Sequence, residues 1–103
     1  MKSLADIQQQ LRSGNFDFTR HAFKRAIERN ISEQEIREVG ENLEVIEDYP
    51  GDKYSPSSLL LGFTKGDRPL HIQVSRMDSD ITKIITLYEP NAAEWINYRI
   101  RRD

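Results

Sequence analysis

Two histidines, His21 and His71, are the side chains in this sequence best suited to move protons near neutral pH. His21 precedes Arg25 by four residues and Glu28 by seven, a spacing that sets all three on one stripe of a helix. A guanidinium on such a stripe can grip a phosphate through two parallel hydrogen bonds, and Glu28 can orient either neighbour. His71 lies in an alternating apolar–polar segment, and Thr86 and Tyr88 lie in the next one. Tyr88 offers a hydroxyl for hydrogen bonding and a ring for stacking. The same residues also suit plainer roles, as a solvated helix face with local ion pairs and a half-exposed polar sheet face.

Positioning these residues falls to the elements around them. Leu4, Ile7 and Leu11 share one face of a first helix over residues 3–13, which Gly14-Asn15 stops. Thr19 is placed to cap a second helix over 19–30. Its apolar side is expected to hold Ala22, Phe23, Ala26 and Ile27, opposite His21, Lys24, Arg25 and Glu28. Ser32-Glu33-Gln34-Glu35 is a capping box, so a third helix runs from there to about Val39 with Ile36 and Val39 inward. Strand-like segments follow at 43–48, 58–64, 70–77 and 81–88, separated by Pro, Gly and Asp-rich breaks. Asn91 is placed to cap a short last helix bearing Trp95. These elements predict an α+β chain: two to three N-terminal helices packed on a four-stranded antiparallel sheet, then a short C-terminal helix, as one domain over 1–103.

Alternation sets an expected register for the last hairpin. Pairing Arg76 with Ile81 puts His71 beside Thr86. One face then carries Leu70, Ile72, Val74, Ile85 and Leu87, and the other carries His71, Gln73, Ser75, Thr82, Thr86 and Tyr88. The apolar face should pack on helices and leave the polar face open.

Composition narrows the function. The chain has 103 residues, 31% charged with both signs, and no cysteine, which excludes disulfides, thiolate zinc sites and cysteine nucleophiles. No apolar run approaches a membrane span, and residues 1–11 lack the apolar stretch of a signal peptide, so a cytoplasmic protein without a membrane partner is expected. Net charge is −2, unlike a general polyanion binder. The charge is unevenly spread: Arg20, Lys24, Arg25 and Arg29 cluster, as do Arg99, Arg101 and Arg102, while residues 41–52 are acidic. No phosphate-binding glycine loop, nucleophile elbow or HExxH motif is present. The two histidines with Glu47 or Asp48 lack tight metal-ligand spacing, and no metal or other cofactor is expected.

His21-Ala22 with Arg25 and Glu28-Arg29-Asn30-Ile31-Ser32 resembles the N-terminal signature of a bacterial family, domain of unknown function 4258. Glu47-Asp48-Tyr49-Pro50, Leu60-Leu61-Gly62, Pro69-Leu70-His71-Ile72 and Thr86-Leu87-Tyr88-Glu89-Pro90 are similar to the rest of it. The resemblance runs over about residues 18–102. That family more distantly resembles the RelE-type toxins, small metal-independent ribonucleases with helices on an antiparallel sheet.

The resemblance implies an RNA-cleaving toxin of a type II toxin–antitoxin system, neutralised by a small antitoxin and acting on RNA, ribosome-bound mRNA included. Attack of a ribose 2′-hydroxyl on its phosphate needs proton transfer and a cation. Under that implication His71 and His21 move protons, Arg25 stabilises the phosphate, and Tyr88 orients substrate or a histidine. Lys24, Arg29, Thr86 and the Arg99, Arg101 and Arg102 tail hold the RNA. The rival expectation is a non-catalytic module of the same fold that binds a protein through its sheet edge or acidic strand.

Overall fold

The structure is a computed structural model describing residues 1–103. Helices form where caps and apolar spacing coincide. In α1 (Leu4–Arg12) the Ser3 hydroxyl accepts the Asp6 amide, Ile7 and Leu11 are buried, and Gly14 at φ 77 turns the chain away. In α2 (Arg20–Glu28) Thr19 caps in the same way. The Ser32–Glu35 capping box opens α3 (Glu33–Val39), which buries Ile36 and Val39.

The sheet is mixed and five-stranded. β2 (Glu44–Tyr49), β3 (Ser57–Phe63), β4 (Pro69–Ser75) and β5 (Thr82–Tyr88) form the expected antiparallel meander. The expected four strands become five because β1 (Phe16–Phe18), between α1 and α2, pairs with β5 in parallel, giving the order β1-β5-β4-β3-β2. Three residues carry too little alternation to announce a strand. Side chains of all three helices pack on Leu60, Leu70, Ile72, Val74, Ile84 and Leu87 to make the core.

The last hairpin departs from the expected register. His71 pairs with Tyr88, not Thr86; Gln73 pairs with Thr86; a bulge at Ile85 then brings Val74 to Ile84. The bulge reverses the faces below it, so Ile84 and Thr82 are buried and Ile85 leaves the core side. The connecting loop is also wider than expected. Arg76 accepts the Lys2 amide on its carbonyl instead of pairing with Ile81, and the buried Lys2 ammonium donates to Gln10, Ser79 and the Ile81 carbonyl.

Helix α2 is also corrected. Ala22 and Ala26 face the core, whereas Phe23 and Ile27 are 57% and 65% exposed. Two alanines let the helix lie so close to β5 that only a narrow stripe is covered. Phe23 instead meets Phe18 edge-on at 6.0 Å.

The expected last helix is a hairpin. Asn91 caps a single turn, and β6 (Trp95–Ile96) pairs with β7 (Ile100–Arg101). Asn97 and Tyr98 form its turn, both at positive φ. This hairpin covers half of the sheet face opposite the helices, burying Leu59, Leu61 and His71. The polar face expected to be open is therefore open only over its other half.

A Cβ on Gly62 of β3 would lie 2.7 Å from the Val39 Cβ and 2.9 Å from its carbonyl oxygen. Gly62→Ala should push α3 off the sheet and destabilise the fold by about 1–3 kcal/mol, read as a lower urea midpoint at unchanged slope.

Candidate functional site

His71 is fully buried and both of its ring nitrogens are engaged. Nε2 lies 2.6 Å from the Tyr98 carbonyl and Nδ1 lies 3.2 Å from the Tyr88 hydroxyl. A carbonyl can only accept, so Nε2 carries the proton and Nδ1 accepts from Tyr88. The Trp95 ring stands edge-on at 4.5 Å. Burial pushes the His71 pKa down, and the Tyr98 carbonyl only partly opposes this. Burial likewise raises the Tyr88 phenol.

A charged clamp holds the cover in place. Arg101 grips Glu47 at 2.9 and 3.2 Å and lies over the Trp95 ring at 4.6 Å. Glu47 also accepts the Tyr49 hydroxyl. Burial works against the Glu47 charge, but hydrogen bonds from Arg101 and Tyr49 hold its carboxyl below the usual range.

The accessible polar groups lie along the seam where α2 flanks β5. Beyond β1, the edge of β5 is open to α2. There, Arg29 donates to the Leu87 carbonyl at 2.7 Å, and its guanidinium sits 6.0 Å from the centre of the Tyr88 ring. One turn or two earlier, exposed His21 brings Nε2 to 3.4 Å from the Thr86 hydroxyl. Thr86 and Tyr88 point to the same sheet face, about 6.6 Å apart along the strand. Two clefts adjoin the residues of this seam. One, of about 590 Å³, is lined by His21, Gln73, Lys83 and Ile85 among others. The other, of about 460 Å³, includes Arg29, Tyr88, Glu94 and Trp95.

Of the residues expected to form one site, His21, Thr86, Tyr88 and Arg29 share this seam, with His71 behind Tyr88. Arg25 points elsewhere and donates to Glu28 at 2.7 Å. Lys24 is exposed on the same helix. The tail cations are folded down: Arg99 on Glu44, Arg101 on Glu47, and Arg102 on the Ala92 carbonyl. Asp48 meets Arg76 at 3.6 Å, so the acidic strand is largely neutralised from within. No three His, Asp or Glu side chains converge in a metal-binding group. The sequence reading missed the Asp52–Ser57–Gln73 network on the open half of the sheet, because Asp52 is only a loop acid until the fold closes over it.

A family model described as Domain of unknown function (DUF4258) matches residues 18–89, more than half of the chain, and the chain belongs to that family. The match takes in His21, Arg29, His71, Thr86 and Tyr88 and leaves α1 and the C-terminal hairpin outside it. No curated protein and no solved structure matches the chain.

The depressed His71 pKa links stability to pH. In the unfolded chain His71 takes up a proton near about 6.5, while in the folded chain it does so only at lower pH. Between the two the unfolded state binds more protons, so stability falls as pH drops through about 6.5 and levels below the folded pKa. His71→Gln should flatten the dependence of urea-unfolding free energy on pH in that window. An unchanged slope would mean that His71 is not buried neutral.

Proposed function

We propose that this protein is a toxin-type RNA endonuclease of the cytoplasm, cutting by 2′-hydroxyl attack and held in check by a small antitoxin. The observation that carries the reading is the seam itself: exposed His21 against Thr86, with Arg29 against Tyr88 one step along the same strand. These groups supply a base, a cation and hydroxyl oxygens within reach of one phosphodiester. Three helices on one face of a mainly antiparallel sheet also agree with the resemblance to RelE-type toxins.

In this reading His21 takes the 2′-hydroxyl proton. The O2′–P bond forms, the P–O5′ bond breaks, and the leaving oxygen takes a proton from solvent, giving a cyclic phosphate and a 5′-hydroxyl. Arg29 faces the charge developing on the phosphate. The Tyr88 oxygen accepts a hydrogen bond from a substrate hydroxyl, and buried His71 is a positioning residue that takes the Tyr88 proton and so fixes its direction. Arg20, Lys24 and Arg25 add sequence-independent attraction for the backbone.

A second reading, a non-catalytic protein-binding module, draws on one observation. Phe23 and Ile27 form an exposed apolar pair on α2, bordered by Arg20 and Lys24. Under the first reading the same pair suits the antitoxin.

Purified protein should cleave labelled RNA in the presence of chelator, with or without ribosomes. His21→Ala should lower the rate about 10²–10⁴-fold, and Arg29→Ala about 10²–10³-fold. RNA affinity should fall steeply with salt. If wild type cuts nothing in either setting and its expression leaves growth untouched, the nuclease reading is wrong and the binding module replaces it.

A further inference from the structure

We propose that the open half of the sheet face is a guanine-binding subsite. It rests on the nuclease reading only in making that guanine part of an RNA. The floor of the cleft is a fixed polar network. The Ser57 hydroxyl donates to Asp52 Oδ2 at 2.7 Å, so its oxygen is left to accept the Gln73 amide at 3.1 Å; that amide also reaches Oδ2 at 3.4 Å. The network commits the donor end of Gln73 inward. Its carbonyl oxygen and the second oxygen of Asp52 receive no hydrogen bond from the chain. Both residues line the cleft of about 590 Å³ and neither unbonded oxygen is buried, so two acceptors, one on a carboxylate, are open to a ligand there.

The walls are apolar where the floor is polar. Tyr54 is 87% exposed, and Met77 and Ile85 line the same cleft. A concave apolar site with a few fixed polar groups suits a flat heterocycle. Among the bases only guanine carries two adjacent donors, N1–H and the 2-amino group, on its pairing edge. Adenine and cytosine each set an acceptor beside their amino donor, and uracil sets its one donor between two carbonyls. Against a pair of acceptors those three leave a carboxylate facing a lone pair, a mismatch that costs affinity. Lys83 also lines the cleft and offers positive charge to the attached phosphate.

The test is titration of GMP, AMP, CMP and UMP into wild type, Asp52→Asn, Tyr54→Ala and His21→Ala, followed by backbone amide resonances. GMP should bind at least about tenfold tighter than the other three, with shifts at Gln73 and Ile85. Asp52→Asn turns one acceptor into a donor while keeping an oxygen for Ser57, and should erase the preference. Tyr54→Ala, in an exposed loop, should weaken all four. Where Asp52→Asn fails to fold, Gln73→Met removes the other acceptor and should reduce the preference. Equal binding of the four nucleotides, shifts elsewhere, or a guanine preference that survives Asp52→Asn would overturn the proposal. A mononucleotide offers no bond to cut, so this failure would leave the cleavage reading standing. Conversely, His21→Ala should lower cleavage by about 10²–10⁴-fold yet retain the guanine preference.

Discussion

The hydrogen bond from His71 Nε2 to the Tyr98 carbonyl decides how the second face of the sheet is used. An imidazole in the middle of β4, flanked by Leu59 and Leu61 on the neighbouring strand, cannot be buried with an unpaired nitrogen without a cost of about 1–3 kcal/mol. The chain meets that demand by folding its end back. The Tyr98 carbonyl caps one nitrogen, Tyr88 the other, and Trp95 closes over the ring. Arg101 and Glu47 then secure the cover from outside. One consequence reaches the seam: the Tyr88 hydroxyl, tied to Nδ1, has a set direction. Another reaches the far half of the face, which the short hairpin cannot cover and which is left as a cleft.

Much of this architecture is visible in the residues, because caps and alternation are local signals. Thr19 and the Ser32–Glu35 box mark helix starts that the structure keeps. Leu70, Ile72, Val74 and Leu87 lie on the core face as alternation requires. The failures have non-local causes. Nothing near Ile85 signals a bulge; it arises where β5 must pair with both β4 and the parallel β1. Phe23 and Ile27 satisfy helical periodicity, yet the close approach of Ala22 and Ala26 to β5 leaves no space for larger neighbours inside. Asn97-Tyr98 is a turn only because Trp95 and Arg101 have a face to pack on.

Charge was harder to read than fold. Acidic residues 41–52 and the basic tail look like two separate surfaces in sequence, one for a basic partner and one for phosphates. In the fold they lie against each other: Glu44 with Arg99 and Glu47 with Arg101. On α2, by contrast, Arg20 and Lys24 make no ion pair. The histidines divided likewise. Both seemed equally available for proton transfer, but the one on the sheet is sealed and the one on the helix is open to solvent. Only tertiary packing distinguishes them.

The parallel pairing of β1 with β5 carries a consequence for how the molecule comes together. Phe16 meets Thr82, and Lys2 meets Ile81, across most of the chain. Strands β2 to β5 are joined by short loops, so their contacts close at small entropic cost and early. Helix α1 and β1, made before β5, are therefore among the last elements of this fold to be fixed. Until β5 has formed, Ile7 and Leu11 of α1 lack part of the surface that buries them, and β1 has no neighbour. A nascent chain stopped short of Thr82 would carry α1 undocked, with that apolar surface offered to any holding chaperone that surveys unfinished proteins.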